Sequence, residues 1–298
     1  QMAREAGIEG FMYWHYWFGN GKRLLERPFN EVLQSGKPDF PFCLGWANHD
    51  WTRRTWNSDA HKHKDMDLML QEYPGDEDII AHFNTLLPAF KDKRYITVDG
   101  SPMFLIFDPV ALPNPKHFMK IWNQLAKSNG INNGIHFVGL TGGWLEKYSQ
   151  TLRDGFDAIA PSNLWYAEAK VEGSFMKLFK HKLRTYFPKF APLNKYKYKD
   201  IIKHLFTEYD KLENGYPSII PNRDRSPRGG RRAVIYTDST PELFKQHILD
   251  ALELVKHKQP QHRIIFLRSW NEWAEGNYVE PDLKYGHGYL DALKETVL

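Results

Sequence analysis

The chain has 298 residues, of which 42% are hydrophobic, 15% aromatic and 26% charged. This aromatic content excludes a disordered polymer. The mean hydropathy is −0.59, and no apolar run approaches the length of about 20 residues that a membrane-spanning helix needs, so no transmembrane segment is predicted. The net charge of +4 does not indicate nucleic-acid binding, and the single cysteine, Cys43, excludes an internal disulfide framework and a cysteine-rich metal site.

The chain opens at Gln1, not at a methionine, inside a segment predicted to be helical (residues 1–7). No signal-peptide pattern is present, and one cysteine suits a reducing compartment. We therefore expect a bacterial cytoplasmic protein. A periplasmic location stays open, because the true N-terminus is expected to lie upstream of Gln1.

Apolar runs alternate with helical segments along the whole chain. Continuous apolar runs, as opposed to alternating ones, are typical of strands buried on both faces of a parallel sheet. The seven runs are residues 10–18, 41–47, 102–107, 135–141, 156–161, 217–220 and 263–270.

Helix start and stop signals lie between these runs. Acidic residues at Asp76 predict a helix to about Phe90, and Pro115 begins another that Gly130 closes. Thr240 is a predicted N-cap, and its helix runs to about residue 256. The strand–helix repetition predicts a parallel α/β fold.

Seven strands are one fewer than a (β/α)8 TIM-type barrel requires. The helical start therefore predicts a barrel whose first strand precedes Gln1; a seven-strand open sheet or incomplete barrel is the alternative. No linker divides the chain, so residues 1–298 are predicted to be a single (β/α)-barrel catalytic domain. A Lys- and aromatic-rich insertion is expected at about 173–210, and a second basic cluster comprises Arg223, Arg225, Arg228, Arg231 and Arg232.

In a parallel barrel the reactive groups follow the carboxyl ends of the strands. Aromatic rings at these positions stand beside amide, carboxylate and imidazole groups, a combination that suits a sugar. The alternative is that the aromatics fill and cap the barrel. The predicted substrate-binding residues are Tyr13, His15, Trp17, Trp46, Asn48, Asp50, Trp51, Arg53, Asp108, Asn163, Asp224, Trp270, Asn271, Trp273 and Glu280.

Glu272 and Glu275 are the predicted catalytic residues. Two carboxylates three residues apart in a Trp-flanked turn can divide acid and base roles, with one protonated near neutrality, and glycoside cleavage uses such a pair. We expect both to face one open pocket walled by Trp46, Trp51 and Trp270. The alternative is a solvated pair of turn glutamates.

The string from Ser269 to Asp282, SWNEWAEGNYVEPD, resembles the signature of the glycoside hydrolase family 99-like proteins, often called WbsX-type glycosyltransferases. Residues 13–18, 23–29, 40–48 and 51–54 resemble the group's other blocks, so the resemblance spans nearly the whole chain. It implies a (β/α)8 barrel and retaining, endo-type hydrolysis of a polysaccharide or oligosaccharide. No metal or cofactor is implied.

The resemblance also implies roles for the two glutamates. In family 99 enzymes the first glutamate deprotonates the sugar 2-hydroxyl to give a 1,2-anhydro intermediate, and the second protonates the leaving oxygen and later activates water. These roles would fall to Glu272 and Glu275. His49-Asp50 and Arg223-Asp224-Arg225 depart from the group's usual Glu-Asn and Trp-Asp-Asn, so mannose specificity does not follow.

A glycosyltransferase in surface polysaccharide (O-antigen or capsule) biosynthesis is the alternative function. The basic clusters would then hold a nucleotide or lipid diphosphate, although no glycine-rich phosphate loop is present and Asp65-Met-Asp67 follows a polar segment. The expected partners are a glycan substrate and other polysaccharide-assembly enzymes, with no nucleic acid.

Two further readings have less support in the sequence. A non-catalytic carbohydrate-binding barrel has no need of both glutamates. A metal site at His61-Lys-His63 lacks a third ligand.

Overall fold

The computed structural model describes residues 1–52, 67–187 and 192–298. The helices in this part of the chain are α1 (Met2–Glu5), α2 (Arg27–Ser35), α3 (Asp76–Phe90), α4 (Pro115–Ser128), α5 (Glu146–Arg153), α6 (Leu164–Glu172), α7 (Ser174–Tyr186), α8 (Tyr198–Ile201), α9 (Glu208–Lys211), α10 (Ser226–Gly229), α11 (Pro241–Val255) and α12 (Gly288–Val297). Short 3-10 helices cover Ile202–His204, Gly230–Arg232, Pro260–His262 and Trp273–Glu275.

Most strands are short. They are β1 (Phe11–Trp17), β2 (Arg23–Leu24), β3 (Phe42–Trp46), β4 (Trp51–Thr52), β5 (Asp67–Met69), β6 (Thr97–Val98), β7 (Ser101–Ile106), β8 (His136–Gly142), β9 (Ala158–Ser162), β10 (Asn194–Lys197), β11 (Ser218–Ile219), β12 (Val234–Thr237), β13 (Phe266–Leu267), β14 (Asn271–Glu272) and β15 (Asn277–Tyr278).

The central sheet has the order β2-β1-β3-β7-β8-β9, with β6 also paired to β7. Strands β1, β3, β7, β8 and β9 are parallel, and helices connect them along the chain. The seven predicted apolar runs all contain strands, so a mixed α/β fold with a mainly parallel sheet is confirmed.

A closed barrel is not seen in the described residues. Strands β11 and β13 pair in parallel with each other and connect to β9 through the bridge between Ile159 and Gly215. Within the described ranges, no backbone pairing joins β13 to β1; at this junction the rings of Phe11 and Trp270 meet edge to face at 5.7 Å.

The core lies between the sheet and helices α3 and α4. Every residue of β3 is buried, and Trp122 of α4 is fully buried among Phe83, Phe104 and Phe118. Such continuous burial explains why these strands read as unbroken apolar runs.

The predicted helix limits are close to those observed. Helices α3, α4 and α11 begin at Asp76, Pro115 and Pro241, and the Thr240 hydroxyl accepts a hydrogen bond from the Leu243 N–H at 3.3 Å. Helix α7 begins just inside the predicted insertion. That insertion also holds β10, which pairs with β12, an unpredicted strand.

Candidate active site

The β14–β15 hairpin presents the two predicted catalytic glutamates. The Ser269 hydroxyl accepts from the Glu272 N–H at 3.1 Å and donates to the Asn277 carbonyl at 2.8 Å, which fixes the turn after β13. Gly276 has a φ of +60°, and a Cβ there would lie 2.5 Å from the Asp224 nitrogen. Only glycine therefore lets the turn approach the Asp224 loop this closely.

Glu275 is surrounded by arginines. Its Oε1 lies 3.0 Å from Arg225 Nη2 and 3.2 Å from Arg228 Nη1, and its Oε2 lies 3.8 Å from Arg223 Nη1 and 4.0 Å from Arg268 Nη2. We name this group the arginine cluster. Four cations around one buried carboxylate leave a local excess of positive charge.

Several guanidinium nitrogens of the cluster are unsatisfied. Nε and Nη1 of buried Arg223, and Nε of Arg225, are buried without a hydrogen-bond partner. Desolvation lowers the pKa of Arg225 despite Glu275. Desolvation and the neighbouring Arg223 lower the pKa of Arg268 to about 10. Buried donors of this kind favour an anionic group.

Glu272 is half-buried, and its charge acts on Tyr16 at the end of β1. Desolvation raises the pKa of the Tyr16 phenol, and the charge of Glu272 raises it further, whereas Arg228 acts in the opposite direction. Tyr16 also packs edge to face on Trp51 at 5.0 Å. Glu272, Tyr16 and Arg228 therefore share one electrostatic environment.

Exposed rings lie at the ends of β1 and β7. Trp14 is 40% exposed and contacts Phe107, which is 41% exposed, at 5.7 Å. Phe107 lies 4.9 Å from the His49 ring. Burial is the main cause that lowers the pKa of His49, and the positive charge of Arg228 adds to it. Gly45 makes room for side chains of β1, because a Cβ there would lie 2.5 Å from Met12 Sδ and 3.3 Å from the Trp14 ring.

Asn48 and Asn163 are buried and fix chain segments at the strand ends. The Asn48 amide donates to the Asp108 carbonyl at 2.9 Å and accepts from the Asp108 N–H at 2.8 Å. The Asn163 amide donates to Leu205 and Asp210, and its oxygen accepts from Tyr148. Both polar groups are satisfied within the protein, so they position loops.

Four predicted substrate-binding residues pack on the helical side of the sheet. His15 hydrogen-bonds to His82 of α3 at 2.9 Å, Trp17 stacks on the same His82, and the Trp46 indole donates to the Trp17 carbonyl. Tyr13 packs on Phe29. The assignment of these four residues to the substrate is not supported, and Trp46 cannot wall a pocket because it is 2% exposed.

The remaining predicted residues lie at or near the carboxyl-terminal face. Asp50 and Asp224 cap loops by accepting from the Gln71 and Ser226 N–H groups. Trp273 is exposed, stacks on Tyr278 at 3.7 Å and donates to Glu280 at 2.7 Å. Asn271 is exposed and Trp270 half-buried. Arg53, His61, His63 and Asp65 lie outside the described residues.

Trp14, Tyr16, Phe107 and Arg268 also lie at the candidate site, but they are not among the predicted substrate-binding residues. Strand alternation places Trp14 and Tyr16 on the face opposite Tyr13, His15 and Trp17. The alternation divides the run into two sets of residues, but it does not tell which set faces the site. In the described ranges, no cluster of three His, Cys, Asp or Glu could hold a metal ion. No described helix has both the length and the apolar character needed to cross a membrane.

A family model described as glycosyltransferase WbsX matches residues 1–293. The chain belongs to the WbsX glycosyltransferase family. The protein WxcX of Xanthomonas campestris pv. campestris strain B100, described as uncharacterized, is 28% identical over 301 residues, which cover 100% of this chain and 40% of WxcX. WxcX of strain ATCC 33913 gives the same identity and coverage. This WbsX-family chain therefore spans about two fifths of the curated relatives that it matches.

Solved structures share the fold of this WbsX-family chain. A glycoside hydrolase-like protein aligns with a TM-score of 0.58 and 16% identity, covering 99% of this chain and 83% of that one. The GH99 endo-alpha-mannosidase from Bacteroides thetaiotaomicron, in complex with bis-tris-propane, aligns with a TM-score of 0.57 and 14% identity, covering 99% and 81%. Identities this low show a common fold alone.

Proposed function

We propose that this chain is the catalytic part of a carbohydrate-active enzyme that acts on a glycosidic bond of a polysaccharide or oligosaccharide. The first candidate reaction is retaining, endo-type hydrolysis with Glu272 and Glu275 as the reactive carboxylates. The observation that carries it is the hairpin turn, which holds both glutamates at the strand ends. Trp14 and Phe107 at the same face offer ring surfaces to a sugar.

The ion pairs of Glu275 affect which of the two glutamates can act as the acid and which as the base. Glu275 contacts guanidinium groups at 3.0 and 3.2 Å. These contacts occupy the carboxylate oxygen Oε1, which a proton donor would have to present to the leaving group. Glu272 instead acts on the Tyr16 phenol, whose pKa its charge helps to raise after desolvation. The family-derived roles of the two residues thus need a direct test.

Leaving-group dependence separates the roles. Glu272→Gln and Glu275→Gln should each reduce hydrolysis of a matching glycan by about 10²-fold or more, because general acid–base catalysis contributes that much. The variant lacking the proton donor should regain most activity on a glycoside with an activated leaving group, such as a fluoride. The variant lacking the base should not regain activity on that glycoside. Full activity of both variants on the unactivated glycan would refute the site.

A second candidate is glycosyl transfer, which the arginine cluster favours. A sugar nucleotide or lipid-linked sugar leaves behind a diphosphate, and guanidinium groups are suited to bind its oxygens. The unsatisfied nitrogens of Arg223 and Arg225 offer such donors next to Glu275. Transfer predicts that pyrophosphate and a sugar nucleotide raise the melting temperature, and that Arg223→Gln abolishes the shift. No shift across a nucleotide panel would reject this candidate.

We also propose a single catalytic domain of the (β/α)8-barrel type, with the 173–210 segment as an insertion. Its closure would need a strand from outside the described residues between β1 and β13. The edge-to-face contact of Phe11 and Trp270 marks the junction concerned. An experimental structure with β1 and β13 hydrogen-bonded directly to each other would contradict an eight-stranded arrangement.

A further inference from the structure

Helix α7 is attached to the protein through its lysines. Lys177 forms an ion pair with Glu168 of α6, and Lys180 forms one with Glu172. Lys177 is buried, and its Nζ lies 5.5 Å from the ring centre of Tyr196. The Tyr196 hydroxyl donates to Glu172 at 2.7 Å. Lys177 and Lys180 of α7 therefore face the protein.

The apolar side of the same helix faces outward. The side chain of Phe175 is 83% exposed, that of Phe179 54% and that of Tyr186 74%. Residues at i, i+4 and i+11 share one helix face. Met176 and Leu178 beside them are also exposed. A surface helix normally does the reverse and buries its apolar stripe, so this arrangement indicates an external apolar partner.

The charges around this face are almost entirely positive. Residues 170–199 contain one acid, Glu172, and that acid is already paired with Lys180. The exposed lysines on α6, α7, β10 and α8 are Lys170, Lys182, Lys195, Lys197 and Lys199. We name these lysines, together with Phe175, Met176, Leu178, Phe179 and Tyr186, the Lys/Phe surface.

We propose that the Lys/Phe surface binds the surface of an anionic lipid bilayer. Exposed rings beside lysines are the combination that enters the boundary between headgroups and acyl chains, with the ammonium groups left at the phosphates. Apolar area alone would fit many partners. The excess of lysine, with no unpaired acid in residues 170–199 among the described side chains, selects an anionic apolar surface. This inference stands independently of the reaction that the enzyme catalyses.

Vesicle sedimentation with the full-length protein tests the proposal. The protein should sediment with phosphatidylcholine vesicles containing phosphatidylglycerol, much less with phosphatidylcholine alone, and progressively less as salt is raised. Phe175→Ser/Phe179→Ser should weaken binding at least about tenfold, since two large apolar groups are lost. Lys182→Glu/Lys197→Glu should remove the preference for the anionic lipid.

Matched controls distinguish binding through the Lys/Phe surface from nonspecific adsorption to the vesicles. Leu25→Ser/Leu283→Ser removes two leucines outside residues 164–199, of which Leu25 is largely and Leu283 fully exposed, and should bind like the wild type. The melting temperature of each variant checks folding. Equal binding by the wild type and Phe175→Ser/Phe179→Ser, or no binding to anionic vesicles at low salt, would overturn the proposal.

Discussion

Glu275 Oε1 lies 3.0 Å from Arg225 Nη2 within the arginine cluster. Arg225 belongs to the loop that follows β11, whereas Glu275 belongs to the hairpin that follows β13, so the pair joins two strand ends. The Asp224 N–H donates to the Glu275 carbonyl at 3.0 Å and supports the same junction. The carboxylate thus links the hairpin to the arginine-bearing loop.

Removing the charge of Glu275 should destabilise the protein. Loss of one partner of a buried pair costs about 3–5 kcal/mol, but Arg225 is 38% exposed and water screens part of the interaction. We therefore expect Glu275→Gln to lower the free energy of unfolding by about 2 kcal/mol. Urea denaturation measures it, with Glu272→Gln as the matched control. Sulfate or phosphate should restore part of the loss, because an anion can replace the missing carboxylate. Wild-type stability of Glu275→Gln would contradict the cluster's structural role.

Trp14 should act in binding and Trp17 in stability. Both belong to β1, but Trp14 is 40% exposed and Trp17 3% exposed. Trp14→Ala should weaken binding of a glycan ligand by about 1–2 kcal/mol, the amount expected for a lost ring contact, and leave the melting temperature nearly unchanged. Trp17→Ala should cost about 3–5 kcal/mol of unfolding free energy. Calorimetric titration and thermal unfolding measure the two effects, and a stability loss in Trp14→Ala would place that ring in the core.

The position of the sheet strands was predictable because burial on both faces leaves unbroken apolar runs. The direction of each side chain was harder to predict, because such runs hide the alternation of faces. The sequence predicts His15 and Trp17 to bind substrate because histidine and tryptophan suit a sugar. In the fold they pack on His82, a residue 67 positions from His15 that no local pattern connects to it.

The arginine cluster was also only partly predictable from the sequence. The arginines at 223, 225 and 228 were visible as a basic run, but their convergence on Glu275 depends on the contact between two loops. Arg268, which directly follows β13, also approaches Glu275. The Glu-x-x-Glu spacing gave no sign of these cations. Their effect on the carboxylate was therefore not predictable from the turn alone.

Acid should destabilise the protein through buried neutral histidines. Burial lowers the pKa of His247 to about 3 and that of His15 to about 3, and it lowers the pKa of His136 to about 4. Below about pH 6.5 the unfolded chain binds protons that the folded protein excludes, so stability is present above that pH and lost as the pH falls. Each such histidine should cost about 1.4 kcal/mol per pH unit below 6.5.

His247 allows this prediction to be tested at one site. Neither of its ring nitrogens has a hydrogen-bond partner, and the ring stacks on Phe206 at 5.0 Å, so an apolar side chain can replace it. His247→Leu should flatten the dependence of unfolding free energy on pH between 6.5 and 5 by about 2 kcal/mol. Exposed His257→Gln controls for the loss of a histidine as such. An unchanged slope in His247→Leu would show that this residue is not the source.

The Thr240 hydroxyl should stabilise the N-terminus of α11. It accepts from the Leu243 N–H at 3.3 Å and satisfies one of the donors that a helix leaves unpaired at its start. The cap matters because α11 carries buried Phe244 and Ile248 against the sheet. Thr240→Ala should lower the free energy of unfolding by about 1 kcal/mol, whereas Thr240→Ser keeps the hydroxyl and should remain near the wild type. Urea denaturation of the three proteins measures the difference, and equal losses for alanine and serine would assign the effect to the threonine methyl group instead.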